Sequence, residues 1–141
     1  MITAVDTNII IALWDKDARL SAAAQGALDE ALARGGLVIS GPVVAELMAA
    51  PSRSEAFIDT FLRDTGLLVE WDLDERIWRV AGRAFQKYAA RRRSHGASQS
   101  PRRILADFLI GAHAAVLGYS LLTLDDRLYR AAFPKLVLLG L

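Results

Sequence analysis

Five short, nearly uninterrupted apolar runs limit what this chain can fold into: Ile2–Val5, Leu37–Ser40, Leu67–Glu70, Ser120–Thr123 and Leu136–Leu139. Each is too short for a buried helix and lacks the alternation of a half-exposed strand, so each reads as a strand covered on both faces. The intervals between them carry helical signals. Thr7–Asp15 and Ser21–Arg34 read as helices, the second stopped by Gly35-Gly36. Another opens at or near Pro42, whose fixed φ suits a first helical turn. Ser54–Asp64 reads as a helix ended by Gly66. Asp74–Arg93 reads as a long one with Ile77, Val80, Ala81, Ala84, Phe85 and Tyr88 on one stripe. Ser94–Pro101 (SHGASQSP) reads as a loop and Arg103–Leu117 as a last helix. Strands alternating with helices predict an α/β fold, a parallel β-sheet sandwiched by α-helices, in a single domain over residues 1–141.

Composition agrees with that reading. Hydrophobic residues make up 53% of the chain, enough to fill a core and to exclude a disordered polymer. A formal net charge of +1 offers no global attraction to a polyanion, so any nucleic-acid contact must come from local clusters. The absence of cysteine excludes disulfide staples and thiolate zinc sites. The first residues lack the basic start of a secretory signal, which fits a cytoplasmic protein. Ile104–Leu124 is apolar and about long enough to span a bilayer. Asp107 and His113 lie inside it, however, and Gly118-Tyr119-Ser120 interrupts it, so it is expected to be a buried helix and strand rather than a membrane span.

The carboxylates are placed by that scaffold. Asp6 follows the first strand directly, and Asp125 follows Leu121-Leu122-Thr123-Leu124. Glu46 falls in the first two turns of the helix after the second strand, and Asp107 in the first turn or so of the helix after the loop. In a parallel sheet the helices begin where the strands end, so all four acids can meet at the edge where open α/β folds bind ligands. Clustered carboxylates either raise one another's pKa or collect cations. Hard divalent ions prefer such all-oxygen sites, and magnesium uses one or two carboxylates while keeping several waters. Two such ions can activate a water and stabilise the leaving oxygen of a phosphodiester. Asn8 and Thr123, beside Asp6 and Asp125, suit orientation of those ligands. Taken singly, an Asp at a helix start is equally a cap for the orphan amides. Glu46 is harder to dismiss, because its neighbours Val43, Val44, Leu47 and Met48 are apolar and a buried Glu needs a partner.

Those residues form four motifs. Val5-Asp6-Thr7-Asn8, Pro42-Val43-Val44-Ala45-Glu46-Leu47, Asp107-Phe108-Leu109-Ile110-Gly111-Ala112-His113-Ala114 and Leu121-Leu122-Thr123-Leu124-Asp125, the last followed by Tyr129 and Phe133-Pro134, stand in this order along the chain. Together the chain resembles the PIN-domain ribonucleases, and its length suits the VapC-type toxins of toxin–antitoxin systems. The resemblance implies a parallel sheet sandwiched by helices and Mg2+- or Mn2+-dependent cleavage of RNA. It places Asp6, Glu46, Asp107 and Asp125 on the acidic positions and Asn8 and Thr123 on accessory ones. It also implies a homodimer and an inhibitory antitoxin bound over the early helices, around Ile9–Trp14 and Ala56–Phe61. Asp125-Asp126 is a doublet from which either member can face the metal; the Thr-x-Asp spacing favours Asp125.

Arg102 and Arg103 precede the helix bearing Asp107, and their guanidinium forks suit RNA phosphates. Arg91-Arg92-Arg93 closes the long helix, where cations also complement the helix dipole. His113, six residues past Asp107, belongs to another helix face and reads as a structural histidine; His95 in the loop reads as solvated. Trp14, Trp71 and Trp78 are expected to be buried packing residues. Two other functions fit less of the pattern. A phosphatase of the HAD type needs a second Asp two residues after the first, where this chain has Asn8. A catalytically inactive RNA-binding or scaffold module would not need all four acids.

Overall fold

The computed structural model describes residues 1–95 and 103–141, the side chain of His95 excepted. Five strands form one sheet: β1 (Thr3–Val5), β2 (Leu37–Ser40), β3 (Leu68–Glu70), β4 (Ser120–Leu122) and β5 (Leu138–Leu139). Their order across the sheet is β3-β2-β1-β4-β5, and every pairing is parallel. β1 to β4 are the continuous apolar runs of the sequence, trimmed by a residue or so, and β1, β2 and β4 are buried throughout.

Seven helices are found among the described residues: α1 (Thr7–Leu13), α2 (Ala18–Arg34), α3 (Gly41–Met48), α4 (Glu55–Thr65), α5 (Glu75–His95), α6 (Leu105–Leu117) and α7 (Asp126–Ala132). The crossovers from β1 to β2 and from β3 to β4 run in opposite directions across the sheet. Right-handed connections therefore set α1 and α2 on one face and α5 and α6 on the other. Helix starts follow their chemistry. The Asp17 side chain caps α2, and Ser54 Oγ accepts from the Phe57 amide at 3.0 Å to cap α4. Gly66 ends α4 in the left-handed region at φ 71°, where a Cβ would be strained.

α6 is the central element of its face. From Phe108 to Ala114 every residue is buried, so the apolar stretch that is long enough for a membrane is an interior helix. No helix among the described residues is long and apolar enough to cross a membrane. Phe85 and Tyr88 of α5 pack on Phe108 with ring centroids 4.8 and 5.4 Å away. Gly111 allows α6 to meet α7 closely, since a methyl group there would overlap the Phe133 ring.

Three local readings are corrected. α5 continues through His95, where a loop was expected from Ser94, while residues 96–101 of that loop lie outside the described residues. α7 was not foreseen: seven residues with buried Leu128 and Tyr129 give too little helical period to detect. Trp71 and Trp78 are 64% and 48% exposed rather than buried. Trp71 follows the edge strand β3, and Trp78 lies about 100° around α5 from buried Ile77. Trp14 is partly buried against the core, edge-on to Phe57 and Phe61 at 5.3 and 5.1 Å.

Candidate active site

β1 is the strand at which the chain reverses its direction across the sheet, with β2 on one side and β4 on the other. The crevice at the carboxyl ends of β1 and β4 is thus the topological switch point, where open α/β sheets bind ligands. An open cleft of about 450 Å³ lies there, lined by Asp6, Glu46, Asp107 and Asp125 together with Thr7, Asn8, Asp15 and Arg103. The four acids expected from the sequence come from four separate elements and share this cleft.

Asp6 is the most deeply set. It is 5% exposed, caps α1, and accepts from the Thr7 amide and from the Thr123 hydroxyl, each at 2.7 Å. Burial raises its pKa from 3.8 to about 6; the Thr123 and Tyr129 hydroxyls and the Thr7 amide pull the other way, and the Asp107 charge adds to the rise. Asp107 stands in the first turn of α6. Burial, with a smaller contribution from the Asp125 charge, raises its pKa also, against the opposing pull of the Ile104 amide and Arg103. Asp125 caps α7 and pairs with Arg103, whose Nη1 lies 2.7 Å from Asp125 Oδ2. Asp126 instead faces solvent and pairs with Arg130 one turn on. The doublet is thereby resolved: Asp125 lines the cleft and Asp126 does not.

The neutral groups fix these carboxylates. The Asn8 amide oxygen accepts from the Leu124 amide at 3.1 Å, and its Nδ2 donates to Thr123 Oγ1 at 3.4 Å. Thr123 Oγ1 also receives the Asp125 amide at 3.0 Å while donating to Asp6. One hydroxyl thus ties β1 to the loop after β4. Two residues given no role from the sequence belong here. Thr7 Oγ1 donates to Glu46 Oε1 at 2.7 Å, linking α1 to α3; its place within Val5-Asp6-Thr7-Asn8 was the available signal. The Tyr129 hydroxyl is buried beneath the acids, within reach of the Asp6 carboxylate. Burial, followed by the charges of Asp6 and Asp107, pushes its phenol far up. Its position four residues after Asp125, on the same face of α7, could have revealed it.

Arg102 lies outside the described residues, so its expected RNA contact has no geometry here. Arg103 is in the cleft, but its guanidinium is bound to Asp125 rather than presented singly. His113 is away from the cleft, buried and 2.8 Å from Glu70 Oε1, which is the structural role expected of it. Among the described residues no three acidic or histidine side chains close into a ready-made metal cage. The acids instead line an open cleft with one cation, Arg103, among them. The donor chemistry fits a hard divalent ion that retains much of its water, because every acidic donor is oxygen and negative charge predominates.

A five-stranded parallel sheet with acids gathered at its switch point defines an α/β protein with an acidic cleft at the carboxyl edge of its sheet. The PIN-domain family matches residues 3–134, and the chain belongs to that family. Solved structures agree on the fold. The chain is similar to VapBC2 from Rickettsia felis bound to a DNA fragment from their promoter, with a TM-score of 0.71, 22% identity, and coverage of 99% of this chain and 98% of that one. It is similar to VapBC-1 from nontypeable Haemophilus influenzae, with a TM-score of 0.69, 24% identity and coverage of 99% and 98%. A toxin–antitoxin complex from Klebsiella pneumoniae gives a TM-score of 0.65 at 20% identity, covering 96% and 95%. No curated protein matches the sequence.

Proposed function

We propose that the chain is a Mg2+- or Mn2+-dependent endoribonuclease and the toxin of a toxin–antitoxin pair. The observation that carries the reading is the gathering of Asp6, Glu46, Asp107 and Asp125 around one cleft at the switch point of a PIN-domain sheet. Asp6, Asp107 and Asp125 would hold the ion, and Glu46 would complete the acidic wall. Bound there, a divalent ion supplies activation of the attacking water and screening of charge on the phosphodiester.

The chain's own groups do the positioning. Thr7 and Thr123 each fix one oxygen of Asp6 through short hydrogen bonds, so its carboxylate keeps one orientation. Thr7 holds Glu46 by Oε1, leaving Oε2 to accept a hydrogen bond from the attacking water. Asn8 and Thr123 keep the Asp125 loop against β1. Arg103 would supply positive charge for the RNA phosphates at the cleft; Arg102, its neighbour in sequence, is assigned the same role from the sequence alone.

The toxin reading rests on family membership and on the three toxin–antitoxin complexes that share the fold. It brings two partners with it. The antitoxin would cover the early helices, where Ile11 and Phe57 are 38% and 41% exposed, and a second copy of the chain would form a homodimer. A substrate drawn from cellular RNA would put the pair in the cytoplasm. The test is RNA cleavage by the purified chain in Mg2+, in Mn2+ and in EDTA. Cleavage that survives EDTA unchanged would overturn the metal-dependent reading. Sequencing the new RNA ends after expression would name the substrate. Co-purification with the product of the neighbouring reading frame tests the antitoxin. Light scattering at micromolar concentration tests the dimer, which a strict monomer would refute.

A further inference from the structure

We infer that Arg103 is a built-in counter-cation of the acidic cleft, one that holds Asp125 until a divalent ion takes the carboxylate and the guanidinium is released toward the substrate phosphate. The inference rests on the proposed metal site. Its basis is the contact itself. Arg103 Nη1 lies 2.7 Å from Asp125 Oδ2, both side chains are more than two-thirds covered, and no other cation lines the cleft among the described residues. Arg103 also lowers the pKa of Asp107, so its charge is felt by two of the acids.

The pair is aimed by its backbone. The Arg103 amide donates to the Tyr88 hydroxyl at 2.7 Å. The Tyr88 ring is fixed against Phe85 and Phe108. This clamp between α5 and the start of α6 holds the backbone from which the guanidinium reaches Asp125. Two consequences follow at Asp125. A guanidinium on the carboxylate blocks a ligand position, and a positive charge a few ångströms away repels an arriving cation. Both weaken divalent binding, and both end when Arg103 moves to an anionic phosphate. Substrate and metal binding are then linked: RNA that draws Arg103 away should tighten the metal, and metal that displaces Arg103 should tighten RNA.

The test is Mn2+ binding by calorimetry to the parent, Arg103→Ala and Arg103→Lys. Arg103→Ala should bind Mn2+ about five-fold more tightly, the worth of a partly screened ion pair, with Arg103→Lys near the parent. In EDTA, Arg103→Ala should melt about 2 °C below the parent, and in saturating Mn2+ the difference should vanish, because the pair is already broken there. Unchanged or weaker Mn2+ binding by Arg103→Ala, with binding by the parent intact, would overturn this inference alone. Binding of Mn2+ by neither protein would overturn the metal site and the inference together.

Discussion

Asp6 and Glu70 stand at the carboxyl ends of β1 and β3, with β2 between them, yet the protein treats them in opposite ways. Glu70 closes β3 and is fully matched. His113 Nε2 lies 2.8 Å from one of its oxygens, and the Tyr119 hydroxyl donates to the other at 2.9 Å. Asp6 follows β1 and accepts from neutral groups, the Thr7 amide and the Thr123 hydroxyl, while Glu46, Asp107 and Asp125 face the same cleft. A carboxylate whose partners are supplied by the fold is a joint between elements. One left among like charges is a place where the fold stops short of neutrality and a cation can complete it.

That contrast predicts where function and stability separate. Asp6→Asn or Asp107→Asn should lower RNA cleavage by about 100-fold or more if the cleft holds the proposed ion, because each removes a negative charge while keeping the shape. The same change leaves a helix cap intact, so the fold should survive. Full activity in both variants would sink the assignment of the cleft. His113→Ala should do the reverse. It opens a cavity in α6 and strips Glu70 of a partner, costing roughly 2–4 kcal/mol in chemical denaturation, with cleavage per folded molecule retained.

The pH dependence of the metal-free protein sharpens the comparison. The folded-state pKa of Asp6, about 6, lies above the unfolded value near 3.8, so its ionised form opposes folding. That penalty is present above pH 6 and is relieved as pH falls from 6 toward 4, where the folded chain binds a proton before the unfolded chain does. In EDTA the parent should therefore gain stability between pH 7 and 5, by about 1 kcal/mol, relative to Asp6→Asn, which lacks the titration. At pH 7 the Asn variant should be as stable as the parent or more so. Parallel melting curves with pH for the two proteins would refute the account of Asp6. The smallest effect concerns RNA capture. Replacing Arg102 and Arg103 together by Ala should reduce the slope of log affinity against log salt by about 1–2, in a titration with an uncleaved RNA. An unchanged slope removes both from the RNA path.

Much of this was legible in the chain itself, and for one reason. Continuous apolar runs separated by helical intervals force a parallel sheet. In a parallel sheet any residue just past a strand, or in the first turns of the following helix, lies at the carboxyl edge. Asp6, Glu46, Asp107, Asp125, Asn8 and Thr123 could therefore be placed together without coordinates, and the structure sets all but Thr123 on the cleft wall, with Thr123 bonded to Asp6 beneath it. What only the tertiary structure decided is the choice of partner for each side chain. Asp125 faces the cleft while its neighbour Asp126 turns to Arg130; Arg103 pairs with Asp125; His113 meets Glu70 across 43 residues; Trp71 and Trp78 lie open although their type favours burial. Local periodicity specifies which face of an element is apolar, but these outcomes depend on distances between elements, which are set only when the sheet closes and α5, α6 and α7 pack on it.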